Sequence, residues 1–310
     1  MERLIIFALV GLAAQAVDGS LGMAYGVTSS TLLVATGVAP AVASASVHLA
    51  EVGTTLASGV SHWRLGNVDW KVVAKIAVPG GIGAFTGATV LSSISTESAT
   101  PWVAGILLVL GVYIIARFVF GKPPVFIPGR RPGLGLLAPL GLFGGFIDAT
   151  GGGGWGPVTT PTLISSGTLH PRKVIGSVST AEFVTTLSAS VGFLVGLAGE
   201  ALDWRIIGGL LIGGVVAAPL AAYLVKHLSL PILGGLVGSI ILITNGRTLL
   251  RNFEAESVAA YGLLFAIAAV IVTIAVRKTG GRLTDAHEPE TGSKPASEPA
   301  SEPASESATA

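Results

Sequence analysis

Long apolar runs dominate the chain, and polar residues gather between the runs instead of alternating with them. A hydrocarbon core about 30 Å thick takes about 20 helical residues to cross. By that length the pattern predicts membrane spans at 40–60, 70–92, 101–120, 173–197, 204–226, 231–247 and 256–276. Two further apolar regions, 4–38 and 133–169, are interrupted in the middle. The interruptions read Asp18-Gly19-Ser20-Leu21-Gly22 and Asp148-Ala149-Thr150-Gly151-Gly152-Gly153-Gly154. Polar, glycine-rich stretches disfavour helix, so each region is expected to be a pair of half-helices around a break.

The two broken regions belong to an internal repeat. Asp18 aligns with Asp148, Gly26 with Gly156, Leu33 with Leu163 and Gly37 with Gly167 at one constant offset. After a one-residue insertion, Pro40 meets Pro171, Ser46 meets Ser177, Glu51 meets Glu182 and Thr54-Thr55 meet Thr185-Thr186. Asp69-Trp70 and Asp203-Trp204 follow suit. Each half is thus a broken segment followed by three helices: 1–120 (hairpin 4–38 plus spans 40–60, 70–92 and 101–120) and 133–247 (hairpin 133–169 plus spans 173–197, 204–226 and 231–247). The linker 121–132 is proline-rich and basic, and 248–278 adds one more span. A leg such as 4–17 or 24–37 reaches only about 21 Å, so each broken segment is expected to re-enter and leave on one side. Three crossings per half then invert the second half relative to the first. Basic residues do not separate inverted from parallel repeats, but they favour a cytoplasmic linker.

Composition narrows the class. Of 310 residues 51% are hydrophobic and only 11% charged, with a mean hydropathy of +0.76. Soluble domains carry about 25% charged residues, so a cytosolic enzyme and a nucleic-acid binder are excluded, and the lipid bilayer is the expected surrounding. The 43 glycines point to helices packed backbone to backbone. With no cysteine there is no disulfide, thiolate site or cysteine nucleophile. No metal-ligand cluster, phosphate-loop lysine or nucleophile elbow is present either, so no metal, cofactor or catalytic residue is expected. Residues 279–310 end in a Ser-Glu-Pro-Ala repeat without large apolar residues. They are expected to be a disordered acidic tail, cytoplasmic like the linker. Ala14-Gln15-Ala16 fits a signal-peptidase site, although a cleaved leader has no reason to share in a repeat.

The breaks carry the candidate chemistry. A helix that starts within the membrane exposes amide N–H groups and a partial positive charge, a ready anion site. Both second legs begin with glycine and hydroxyls: Gly26, Thr28, Ser29 and Ser30 in one, Trp155, Gly156, Thr159 and Thr160 in the other. If the tips meet, these residues would surround a small anionic substrate. Capping and interhelical hydrogen bonding are the alternative roles for the hydroxyls. Four acids lie within apolar sequence as two repeat-related pairs, Asp18 with Asp148 and Glu51 with Glu182. Intramembrane carboxylates are costly and mark ion or proton pathways. Glu51 and Glu182 are candidates for proton or cation coupling, unless each is a permanently neutral acid. Asp18 and Asp148 could instead cap the adjacent turn. His48, three residues before Glu51, is placed to bond to it or tune it; its repeat partner is Ser179.

Asp18-Gly19-Ser20-Leu21-Gly22, Gly37-Val38-Ala39-Pro40, Ala43-Ser44-Ala45-Ser46, Gly151–Gly154, Gly156-Pro157 and Gly176-Ser177 together resemble the sulfite exporter TauE/SafE family. The likeness runs over roughly 4–276. It implies a prokaryotic inner-membrane carrier of two repeats, with a sulfur-containing anion such as sulfite, sulfoacetate or another organosulfonate as substrate. The fold expected is an all-α polytopic membrane protein with two inverted repeats and one additional C-terminal helix. The function expected is alternating-access anion transport. A passive anion channel, a cation carrier and a membrane-embedded enzyme are the alternatives.

Overall fold

The computed structural model describes residues 2–21, 23–121, 131–198, 202–224 and 229–280. Most of the expected linker and nearly all of the expected acidic tail lie outside the described residues. The described residues form helices and no strands: α1 Glu2–Leu21, α2 Tyr25–Ala35, α3 Pro40–Arg64, α4 Trp70–Ser93 and α5 Thr96–Ile115, which continues as a π-helical turn, Ala116–Phe120. The second half comprises α6 Leu134–Gly151, α7 Trp155–Ser165, α8 Pro171–Gly196, α9 Trp204–Leu224 and α10 Leu230–Asn252, followed by α11 Val258–Lys278. Local chemistry sets several starts. Pro40 opens α3 where its missing N–H is harmless, and Asp69 caps α4 by accepting from the amides of Lys71 and Val72. Among the described residues, six helices are long and apolar enough to cross a membrane: α4, α5 with its π turn, α6, α8, α10 and α11. The expected span at 40–60 forms as α3 but carries too many polar residues to count among the six, and they include buried Ser44, Ser46, His48, Glu51 and Thr55.

The breaks are shorter than the sequence pattern suggests. α1 runs on through Asp18-Gly19-Ser20-Leu21, and α6 through Asp148-Ala149-Thr150-Gly151. The chain leaves helix only next to Ala24 and at Gly152–Gly154, where Ala24, Gly152 and Gly153 have positive φ. A glycine within a helix costs about 1 kcal/mol, and tight packing offsets it here. A Cβ on Gly83 would stand 2.0 Å from the Leu142 carbonyl oxygen, and one on Gly145 2.1 Å from that of Gly80. Backbones that close gain dispersion contacts that lipid cannot replace. The first legs therefore have 20 and 18 residues and the second legs 11 each. The equal short legs expected from the sequence are corrected to one long and one short.

Contacts fix the helix directions. Gly144 lies against Thr159 and Gly154 against Asp148, so α7 turns back along α6. Gly209 lies against Phe7 and Gly213 against Ala8 and Leu12, so α1 and α9 run parallel; Gly141 against Ile76 and Gly145 against Gly80 and Ala84 make α6 and α4 parallel in the same way. Gly59 lies against Thr180 and Gly176 against Asn67, so α3 and α8 are antiparallel; Gly111 against Ile241 and Gly234 against Phe118 show the same for α5 and α10. Exchanging the halves converts the α1–α9 contact into the α6–α4 contact, and maps α3–α8 and α5–α10 onto themselves. A core of Val27, Leu107, Ala149, Phe193 and Ile241 joins both halves around the two breaks.

Candidate transport site

The two breaks touch each other. A Cβ on Gly26 would fall 2.6 Å from the Gly153 Cα and 3.2 Å from Glu51 Oε1. Gly156 faces Met23, and the Ser30 hydroxyl donates to the Gly152 carbonyl. Only backbone without side chains permits this approach. Each short helix is also capped across its own break. The Tyr25 N–H donates to Asp18 Oδ1 at 3.2 Å, and the Trp155 N–H donates to Asp148 Oδ1 at 2.9 Å. Asp18 and Asp148 thus do the same work in each half, satisfying an amide left orphaned by the helix start.

Beside the joined breaks lies a cavity of about 70 Å³. A water occupies about 10–15 Å³ of such space, so the cavity suits a few waters or a small ion. Asp18, Glu51, Asp148 and Glu182 all reach its wall, with Gly26, Gly154 and Gly156 from the breaks. Glu51 and Glu182 each stand twelfth in their helices, of 25 and 26 residues. Thr55 and Thr186, another repeat-related pair, meet at 3.4 Å between Oγ1 atoms. Buried carboxylates in such a group need protons or a cation to balance them.

Two half-helix starts joined back to back in a helical membrane protein are what a family model for "Sulfite exporter TauE/SafE" covers here, since it matches residues 7–248. The chain belongs to the sulfite exporter TauE/SafE family. Over 290 residues it is 49% identical to the Bacillus subtilis (strain 168) protein named "Probable membrane transporter protein YtnM", covering 91% of this chain and 95% of that one. No solved structure matches it. The protein is a multi-pass membrane transporter, with a small-molecule substrate and the bilayer as its surroundings.

In this TauE/SafE transporter the residues singled out from the sequence part into two groups. The four carboxylates, Gly26 and Gly156 converge on the cavity. Thr54 and Thr55 also line it, but the helix-start hydroxyls do not. The Thr159 hydroxyl donates back to the Trp155 carbonyl at 2.5 Å, Ser30 holds Gly152, and Thr160 is buried elsewhere in α7. Thr28 and Ser29 are buried in α2, away from the cavity wall. Trp155 is wholly buried, its rim against Gly80 and its Nε1–H donating to the Val178 carbonyl at 3.1 Å. His48 bonds not to Glu51 but across the halves, with Nε2 3.2 Å from Asp148 Oδ2 and Nδ1 2.8 Å from the Ser44 carbonyl oxygen. The three-residue spacing put His48 near Glu51 on one helix, but the bond is won by a residue from the other half. Gln15, Ser58 and Ser179 also line the cavity. Gln15 and Ser58 carry no repeat signal, so nothing in the sequence marks them out.

Proposed function

We propose that this transporter moves a small sulfur-containing anion, namely sulfite, sulfoacetate or another organosulfonate, by alternating access between two inverted repeats, with protons travelling alongside it. One observation carries this: two half-helix N-termini meet at a single small cavity walled by four carboxylates. Beyond the two amides that Asp18 and Asp148 cap, the helix starts supply partial positive charge. The carboxylates supply the coupling. Two like charges 4 Å apart repel by about 4 kcal/mol at an effective dielectric of ~20, so an anion enters readily only after the carboxylates gain protons. Anion and proton then favour each other and cross together. The family's printed description supports sulfite as the first anion to try.

Inversion is supported by the antiparallel pairing of the repeat-related helices α3 and α8, crossing where Thr55 meets Thr186. A twofold axis there lies perpendicular to both helices, hence in the membrane plane if they span it. The end of α11 sits beside the end of the α5 helix, since Lys278 Nζ donates to the Val119 carbonyl at 2.8 Å. Val119 and Lys278 therefore lie at one face, and the basic residues of the linker support reading that face as cytoplasmic in a prokaryotic inner membrane.

The same four carboxylates favour one second reading, in which a small cation replaces the proton as co-substrate. Purified protein in liposomes separates the cases. Sulfite or sulfoacetate should accumulate when the lumen is alkaline, without any sodium or potassium gradient. Accumulation that needs a cation gradient selects the second reading. Equilibration indifferent to every gradient makes the protein a channel.

A further inference from the structure

A second cavity, of about 480 Å³, opens where α2 and α10 end and α3 and α5 begin. Arg247 and Arg251 line it together with Thr100, Thr244, Thr248 and one acid, Glu97. Among the described residues the one ion pair within 4.0 Å is His48–Asp148, so no described carboxylate lies within 4.0 Å of either arginine. Arg247 also approaches Tyr261, whose hydroxyl donates to Glu256.

One turn back along α10 from Thr248, which lines the cavity, the buried contact between α10 and α2 is polar and incompletely satisfied. Asn245, 1% exposed, donates from Nδ2 to Thr31 Oγ1 at 3.1 Å and to the Ile241 carbonyl at 2.9 Å. Its Oδ1 has no partner, and neither does the Thr28 hydroxyl one turn further toward Gly26. Leaving a buried polar group unpaired costs about 1–3 kcal/mol, a cost with a use if something polar passes. The other half lacks this polarity. Pro101 aligns with Pro231 and Gly105 with Gly235, at the offset that joins Gly26 to Gly156. At that offset Thr244, Asn245 and Thr248 correspond to Ile114, Ile115 and Phe118, while Thr28 and Thr31 correspond to Val158 and Pro161. Arg247 has a counterpart in Arg117, but the polarity of Thr28, Thr31 and Asn245 is a property of one side only, so packing within the repeat does not require it.

We propose that the vestibule is an oxyanion-binding site separate from the central cavity, where the transported anion docks first, and that the Thr31–Asn245 contact stands between the two. This rests on the anion assignment made above. A guanidinium fork matches the oxygens of a sulfite or sulfonate group, and the threonines add hydroxyl donors. Glu97 opposes the arginines and keeps binding weak enough for onward release.

The experiment is sulfite uptake kinetics in proteoliposomes for the full chain and for Arg247→Gln/Arg251→Gln. We expect KM to rise about 10-fold with kcat within about twofold, and the steep rise of wild-type KM with ionic strength to flatten. Arg247→Lys/Arg251→Lys should recover most of the affinity. Thr244→Val/Thr248→Val, which leaves the charges alone, should raise KM by a smaller factor. Unchanged KM in the arginine variant, or a loss confined to kcat, overturns the vestibule site while leaving the anion assignment standing. Wild-type protein that moves no sulfur oxyanion removes both.

Discussion

His48 joins the two halves of the transporter: its Nε2 lies 3.2 Å from Asp148 Oδ2, while its Nδ1 lies 2.8 Å from the Ser44 carbonyl oxygen. A carbonyl only accepts, so Nδ1 carries a proton. Nε2 and Oδ2 then share one more, either as imidazolium with carboxylate or as imidazole with carboxylic acid. Both forms are neutral overall. The Ser44 hydroxyl, donating to the Ala149 carbonyl at 2.7 Å, fastens α3 to the same break.

This geometry distinguishes two substitutions. Asp148→Asn preserves every bond, because the amide oxygen can accept from Trp155 and the amide nitrogen can donate to Nε2. We expect it to melt within about 1 kcal/mol of wild type. His48→Ala strands the buried Asp148 and should cost about 3 kcal/mol, since removing one partner of a buried pair is strongly destabilising. Thermal or denaturant unfolding of the purified variants checks the order.

The caps give a graded pair. Asp18→Ala loses one bond to the Tyr25 amide and should cost about 1 kcal/mol, the usual value of a helix cap. Asp148→Ala loses the corresponding bond to Trp155 and the His48 contact as well, so it should be clearly worse in the same unfolding measurement. Equal losses would mean that His48 contributes nothing to holding the halves together.

Glu51→Gln and Glu182→Gln remove titration with little change in shape. If protons accompany the anion, wild-type uptake driven by an alkaline lumen should be lost or uncoupled in at least one of the two, with downhill exchange of anion retained. Gradient-driven uptake unaltered in both variants assigns coupling elsewhere. Liposome flux assays at fixed and imposed pH differences read this directly.

Close approach at the breaks should tolerate no side chain. Gly153 has φ near 150°, and a Cβ there would stand 2.2 Å from the Val27 nitrogen. Gly153→Ala and Gly26→Ala should each cost about 1–3 kcal/mol through overpacking and reduce transport at least 10-fold. Gly105→Ala, with nothing within 4 Å of the new methyl, should be neutral or slightly stabilising.

Much of this architecture is legible in the chain, because hydrophobic length and repetition are local or one-dimensional signals. The expected span at 70–92 forms as Trp70–Ser93, long and apolar enough to cross a membrane, while the helix Trp204–Leu224 lies within the expected 204–226 but is not among the six. The helix through Asp18-Gly19-Ser20-Leu21 was not legible, since propensity counts its glycine against helix. Side-chain direction was harder still. Thr159 and Ser30 sit in a glycine- and hydroxyl-rich helix start that looks like a ligand cradle, yet each spends its hydroxyl on a backbone carbonyl. His48 and Asp148 lie in different halves, and no spacing within a helix could pair them. Asn245 has an isoleucine at its repeat position, so a search for repeated polar residues passes it by.

The central claim is the meeting of the two breaks, and the absence of cysteine from the chain makes it easy to test. Met23 Cβ lies 3.0 Å from where a Cβ on Gly156 would be, so an opening of about 0.5 Å brings the pair into the ~3.5–4.5 Å range of a disulfide. In Met23→Cys/Gly156→Cys protein, mild oxidation in the membrane should consume both thiols within one chain, and a reductant should return them. If both thiols remain open to alkylation after oxidation, the breaks do not meet.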